Sequence, residues 1–331
     1  MKCTSKLYFR KFSCSILSIT LILALCACGN TSYELPYDAN SAVSGFNVVT
    51  GQKSDVVTLF ASDLCIADKQ LADSTIANTE DSGSAILFDI SNSEVLYASN
   101  AHEKLSPASL TKVLMALVAL KNASPDTILT ASDNIYIDEP GAQLCGIKPG
   151  DTMTLNQALY IALINSANDA ALLIAENIGG TVENFVSMMN QEAKSLGATN
   201  SNFVNPHGLT EEEQYTTAYD LYLIFNEAVK YEKFIEIIQT PSYETTYHDK
   251  NGAAKQLSVR STNKYVNSDV KAPENVTVIG GKTGTTNAAG HCLMLLAKDK
   301  NGSPYISIVL KAGSRDSLYA QMTDLLEEIT K

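Results

Sequence analysis

Ser109 and Lys112 stand three residues apart in "SPASLTK" (106–112), directly ahead of the almost wholly apolar "VLMALVALK" (113–121). Side chains three apart on a helix project from one face. A serine at a helix start meets the positive end and its free N–H groups. A lysine carried into an apolar helix is disfavoured as an ammonium, so its pKa falls and the neutral amine becomes accessible. A neutral amine beside a hydroxyl is a base beside a nucleophile. The pair therefore predicts that Ser109 attacks and Lys112 takes its proton, with Pro107 ending the extended chain before them. Two other Ser-x-x-Lys spacings, Ser261–Lys264 and Ser268–Lys271, lie in polar, loop-like sequence and open no helix. Alone, the spacing also describes an ordinary helix start with a snorkelling lysine.

Two further stretches carry polar side chains of the right kind. In "NSAND" (165–169), Ser166 and Asn168 fall at a break between two apolar helices. A hydroxyl there can relay a proton and an amide can hold a substrate carbonyl, although Ser and Asn are also favoured helix caps. "SDN" (132–134) is a competing match in a turn-like run. In "GGKTGTT" (280–286), glycines on a strand leave an edge that a peptide can approach closely. Lys282 offers a charge suited to a carboxylate and would lower the pKa of Lys112 by repulsion. Thr283 and Thr285 offer hydroxyls. The N–H of Thr285, with that of Ser109, fits an oxyanion hole. The phosphate-loop pattern is absent, because position 276 is Val276 where a glycine is required.

The elements that must position these residues are legible as segments. "AILFDI" (85–90) and "VLYAS" (95–99) flank the turn "SNSE" and predict a β-hairpin. Helices are predicted over 110–121, 155–164, 168–178, 182–197 and 217–230, and a last one carries Leu318, Met322, Leu325, Leu326 and Ile329 on one side. Strands are predicted over 274–286, 291–298 and 305–311, the last two joined by "DKNGSP", whose Asn-Gly is a hairpin signal. Strands at both ends with helices between give an α+β fold: an antiparallel sheet flanked by helices, with a helical subdomain from the middle.

The 331 residues carry a net charge of −12, which argues against nucleic acid as a partner. Lys2, Lys6, Arg10 and Lys11 precede an uncharged apolar run (12–27), too short for a comfortable membrane span and laid out like a secretory signal. It ends in "LCAC" (25–28), similar to a bacterial lipobox, which makes Cys28 the lipidated first residue of the mature chain. A plain signal peptide cut nearby is the alternative, and Cys26 fits less well because Leu25 is not small. Residues 1–27 thus read as a lipoprotein signal, 28–80 as lipidated N-terminus and polar tether with a possible strand at 56–67, and 81–331 as the folded domain. Cys65, Cys145 and Cys292 are far apart with no CxxC, and His102, His207, His248 and His291 show no metal-ligand spacing, so neither a disulfide framework nor a metal or cofactor is expected.

Ser-x-x-Lys, Ser-x-Asn and Lys-Thr-Gly in that order are the signature of the penicillin-recognising serine enzymes. "SPASLTK", "INSANDAA", "FVNPHGL" (203–209) and "GGKTGTTNAAG" closely resemble the low-molecular-mass D-alanyl-D-alanine carboxypeptidases, from about residue 83 onward. The resemblance implies that Ser109 is acylated by the penultimate D-Ala carbonyl of a peptidoglycan stem peptide, with Lys112 as base. It implies that Ser166 and Asn168 assist proton transfer and orient substrate, that Lys282, Thr283 and Gly284 bind the terminal carboxylate, and that Thr285 completes the oxyanion site. Penicillins would acylate the same serine. No metal or cofactor is implied, and an arginine assisting the carboxylate is matched only loosely by Arg315. Many relatives carry a β-rich domain and an amphipathic anchor after the catalytic domain; here the N-terminal lipid would hold the domain at the extracytoplasmic membrane face. An endopeptidase cutting crosslinks shares the fold. A class A β-lactamase also shares it but needs a Glu-x-x-Leu-Asn loop that "NPHGLTEEEQYTTAYDL" does not supply. A non-enzymatic wall-binding module would have no use for the full set of catalytic residue types.

Overall fold

A computed structural model describes residues 63–67, 70, 71, 79 and 81–331. The proposed signal, Cys28 and most of the tether lie outside the described residues. Two apolar β segments open the domain: β1 (Ser84–Asp89) turns back into β2 (Glu94–Ser99). A 3-10 turn (Ala108–Leu110) leads into α1 (Thr111–Asn122). Short strands β3 (Ile128–Thr130) and β4 (Thr152–Thr154) precede α2 (Leu155–Ile164), α3 (Asn168–Gly179), α4 (Val182–Ser195), α5 (Ala218–Ala228) and α6 (Glu232–Ile238). Strands β5 (Ser242–His248), β6 (Ala254–Arg260), β7 (Thr277–Thr286), β8 (Gly290–Lys298) and β9 (Pro304–Ala312) follow, and α7 (Arg315–Glu328) closes the chain.

Five strands form an antiparallel sheet in the order β2-β1-β9-β8-β7. Its central strands alternate between two apolar layers. Ile86, Phe88, Met294, Ile306 and Ile308 face the helical core, whereas Leu87, Leu293, Leu295 and Val309 face Leu318, Met322, Leu325 and Leu326 of α7. Burial on both faces is why these strands read as continuous apolar runs. Because β7 is the last strand in the order, its outer edge is free to meet other groups.

Helix α1 is the centre of the helical layer. Thr111 through Ala119 are all buried, as befits a helix apolar on every side. Helix α2 is started by a reciprocal cap between Thr154 and Gln157, and Thr181, Thr217 and Ser314 cap α4, α5 and α7. The α+β reading and the predicted hairpins hold.

Three expectations change. A second sheet, β3-β4-β5-β6, exists, and its strands and α6 were not anticipated. Along β5 and β6 only Tyr247 and Val259 are fully buried, with Tyr243 and Leu257 partly covered, so the inner face carries just two apolar residues per strand. The folded unit also starts before residue 81. Cys65 and Ala67 are buried in the core, the N–H of Cys65 donates to the Tyr222 hydroxyl at 2.9 Å, and Leu71 bridges to Ala98. Residues 63–67 form a turn and irregular chain rather than the end of a strand, and the rest of 56–67 lies outside the described residues.

Candidate active site

Pro107 ends the short extended stretch in which Leu105 pairs with Thr216. With φ −75° and ψ −18° it starts the 3-10 turn that holds Ser109. Ala108 takes φ +45°, a left-handed conformation that costs an alanine roughly 1–2 kcal/mol. The packing around the turn sustains it. A Cβ on Gly208 would lie 1.9 Å from the Ala108 carbonyl oxygen, and one on Gly284 would lie 3.1 Å from the Ser109 nitrogen. Gly208 must be glycine for the 205–209 loop to close on this turn, and at Gly284 a side chain would force a small shift of the β7 edge.

Lys112 is wholly buried beneath Ser109. Its Nζ lies 2.9 Å from Ser109 Oγ, 2.7 Å from Asn168 Oδ1 and 2.6 Å from the His207 carbonyl oxygen. Two of these partners can only accept a hydrogen bond; the hydroxyl can also donate. A neutral amine satisfies all three by donating twice and accepting from Ser109. Burial, then the charge of Lys282, pushes the Lys112 pKa well below the usual lysine value, with Asp169 opposing. The repulsion between the two lysines predicted from the sequence is present.

Ser166 and Asn168 are likewise drawn inward. Helix α3 begins at Ala167 with no side-chain cap, so neither polar side chain is used up as a cap. Ser166 sits at φ +65° between α2 and α3, and its Oγ accepts from Lys282 Nζ at 2.9 Å. Strained conformations of this kind persist where surrounding structure imposes them, and they gather at functional sites. The competing Ser132 instead donates to Glu176 at 2.9 Å and accepts from the Asn134 N–H.

Lys282 is 1% exposed, and burial lowers its pKa to about 7. Besides Ser166 it donates to the Thr283 carbonyl at 2.8 Å. Its charge therefore reaches the cleft through Ser166 and the β7 backbone rather than by direct exposure, a change from the simple picture of an open cation. Thr283 Oγ1 shares a 2.5 Å hydrogen bond with Thr262 Oγ1, and Thr285 Oγ1 lies 3.3 Å from His291 Nδ1. Ser109, Ser166, Asn168, Thr283, Gly284 and Thr285 all open onto one cleft of about 640 Å³. The lysines lie under its floor.

Several positioning groups were missed by sequence reasoning. His207 supplies its main-chain carbonyl to Lys112, and its half-buried ring is held neutral, with a pKa lowered to about 3 by desolvation and by Lys112. Its Nδ1 accepts from the Leu209 N–H at 3.2 Å. Asn205 accepts from the Gly208 N–H at 2.7 Å and donates to the Leu209 carbonyl at 3.0 Å. The "NPHG" turn residues were a readable signal for this loop. Asp169, buried beside the second motif, accepts from the N–H groups of Cys145, Gly146 and Ile147, and the Asn168 N–H donates to the Gln143 carbonyl. These bonds anchor residues 143–147, and residues 139–143 just before them line the cleft. The decoy Ser261 and Lys264 also line it, but Ser261 Oγ accepts from Asn263 while Lys264 lies over the Tyr319 ring. Cys65 and Cys292 are buried free thiols; Cys145 is half-buried.

A buried amine against a serine hydroxyl, under an edge strand bearing Lys-Thr-Gly, is an arrangement suited to serine acyl transfer on the penicillin-recognising fold. Residues 71–314 match the family model described as D-alanyl-D-alanine carboxypeptidase, peptidase S11, and the chain belongs to that family. It is 35% identical to the D-alanyl-D-alanine carboxypeptidase DacF of Bacillus subtilis over 74% of this chain and 61% of that protein. It is 31% identical to a D-alanyl-D-alanine endopeptidase of Pseudomonas aeruginosa over 74% of this chain and 76% of that one. The crystal structure of the Streptomyces K15 DD-transpeptidase superposes with a TM-score of 0.70 at 26% identity, covering 76% of this chain and 97% of that one. The chain spans about three fifths of the length of the curated carboxypeptidases it matches first.

Proposed function

We propose that the protein is a serine D-alanyl-D-alanine carboxypeptidase acting on peptidoglycan stem peptides. Neutral Lys112 removes the Ser109 proton as Oγ attacks the penultimate D-Ala carbonyl. The N–H groups of Ser109 and Thr285 hold the oxyanion, since Gly284 brings β7 against the Ser109 nitrogen. Thr283 and Gly284, with Arg315 lining the same cleft, receive the terminal carboxylate, and Lys282 acts on it from beneath through Ser166. The proton taken by Lys112 is handed on through the Ser166 hydroxyl to the departing D-Ala amine as the C–N bond breaks, which returns Lys112 to the neutral amine, and Asn168 orients the acyl portion. Water then attacks the acyl-enzyme and restores Ser109. The observation that carries this reading is the Lys112 amine, buried and held 2.9 Å from the Ser109 hydroxyl.

Incubation with a pentapeptide ending in D-alanyl-D-alanine should release free D-Ala and a product one residue shorter by mass. Ser109→Ala should abolish that release and the covalent labelling by a fluorescent penicillin; retained labelling would mean that another residue is the nucleophile. A crosslinked muropeptide supplied in parallel tests the endopeptidase reading suggested by the Pseudomonas relative. Cleavage of the crosslink in preference to the pentapeptide would favour that reading instead.

The basic head, short apolar run and "LCAC" support lipidation at Cys28 and retention at the extracytoplasmic face of the membrane. Cys28→Ala should eliminate incorporation of labelled fatty acid and release the protein from the membrane fraction.

A further inference from the structure

Thr283 and Thr285 of β7 both open onto the cleft. Two residues apart on one strand, their side chains share a face. Each hydroxyl is held by a neighbour, and the neighbours differ in kind. Thr283 Oγ1 shares its 2.5 Å hydrogen bond with the Thr262 hydroxyl, a group that keeps its proton across the physiological range. Thr285 is paired across the strands with His291 of β8, and its Oγ1 lies 3.3 Å from the ring Nδ1. The His291 ring is partly covered and lines the same cleft. An imidazole gains or loses its charge near neutral pH. That change alters what Nδ1 can do: bare, it accepts a hydrogen; in the protonated ring, it can only donate one.

We propose that His291 is a positioning residue whose protonation decides whether the Thr285 hydroxyl gives its hydrogen to the ring or to the terminal carboxylate of the substrate. This rests on the carboxypeptidase reading above. With the ring neutral and Nδ1 bare, Thr285 donates to it and presents lone pairs to the cleft, which a carboxylate avoids. With the ring protonated, Nδ1–H donates to Oγ1, and the Thr285 hydrogen is released to the carboxylate. Substrate binding therefore tightens as pH falls through the His291 transition, and the bound carboxylate in turn draws a proton onto the ring. The charged groups on the neighbouring elements are Arg315 and Asp316 of α7, Lys311 of β9 beside the His291 partner Ala312, Lys264 and Asp269 of the 261–269 segment, and Lys282 of β7. Asp269 is paired with Arg260 at 2.8 Å, and Lys264 is 3.9 Å from Asp316. Desolvation, then the charge of Arg315, holds the ring pKa below its ordinary 6.5, so the transition lies on the acid side of that value.

The test follows D-Ala release from a pentapeptide ending in D-alanyl-D-alanine between about pH 8 and about pH 5, separating KM from kcat. Lys112 and Lys282 titrate too, Lys282 with a pKa of about 7, so the quantity read is the difference between variants. From high to low pH, the KM of the unaltered protein should fall about three- to tenfold further than that of His291→Phe, while the kcat profiles stay parallel. His291→Asn, whose amide N–H donates to Thr285 at any pH, should keep the low KM across the range apart from the Lys282 step. In a Thr285→Val background, His291→Phe should change nothing further. Equal falls in KM for the unaltered protein and His291→Phe would overturn the role of His291 and leave the carboxypeptidase reading intact. A His291 effect that persists in the Thr285→Val background would do the same, because the ring would then act on the substrate directly. No release of D-Ala at any pH would overturn the carboxypeptidase reading and this one with it.

Discussion

As the proposed base, Lys112 must be a neutral amine, and three features favour that form: full burial, the neighbouring charge of Lys282, and partners that a neutral amine can satisfy. Acylation by penicillin should therefore rise with pH as the buried lysines lose a proton, along a limb lying well below the ordinary lysine range. Lys282→Met removes the repulsion that lowers the Lys112 pKa. The limb should move to higher pH as well as to a lower plateau; a plateau loss without the shift would confine Lys282 to substrate binding. Lys112→Ala should slow acylation by about 10² to 10⁴-fold, the usual range for a positioned base. Far-UV circular dichroism should stay unchanged, because the lost amine leaves behind groups that water can reach through the cleft. The pairing of Ser109 with Lys112 was readable from spacing. That Lys282 sits below the floor was not, since a lysine on a strand gives no hint of which side chains will cover it.

At the scale of elements, the site depends on close approach of the β7 edge and the 205–209 loop to the serine turn. Gly208→Ala adds a Cβ 1.9 Å from a backbone oxygen at φ +89°. The turn must shift, and a displacement of about 1 Å in a reacting group costs on the order of 10²-fold in rate. Penicillin acylation should fall by at least that factor, with a thermal midpoint several degrees lower; unaffected acylation would show that the turn tolerates movement. Asp169→Ala would leave three N–H groups of the 145–147 segment without their acceptor and should destabilise the domain by about 2–4 kcal/mol in urea unfolding. "NSAND" announced a helix break with polar residues. It could not announce that Asp169 would serve the loop and Asn168 the lysine, because both face inward from one helix start and only their neighbours separate them.

For the whole molecule, His207 links the site to global stability. Its folded pKa of about 3 lies below the ordinary value of 6.5, so between these the unfolded chain binds the extra proton. Stability from this group is fully present above about pH 6.5 and is lost as pH falls toward 3, at up to about 1.4 kcal/mol per pH unit. His207→Asn keeps an acceptor for the Leu209 N–H and should flatten the acid limb of the thermal midpoint by one proton's worth. An unchanged slope would place the acid sensitivity in the carboxylates alone. The sequence by itself determined the α+β class, the five-stranded sheet and the ordered catalytic stretches, because long apolar segments buried on both faces and three local motifs are properties of contiguous residues. The second sheet escaped, since its period-2 pattern rests on only two apolar residues in each of β5 and β6 among charged and hydroxylic ones. Tertiary structure alone decided that Ser166 meets Lys282, which carbonyl anchors Lys112, and that both lysines lie beneath the cleft. Those are contacts between residues dozens of positions apart, fixed by packing and not by any local preference of the chain.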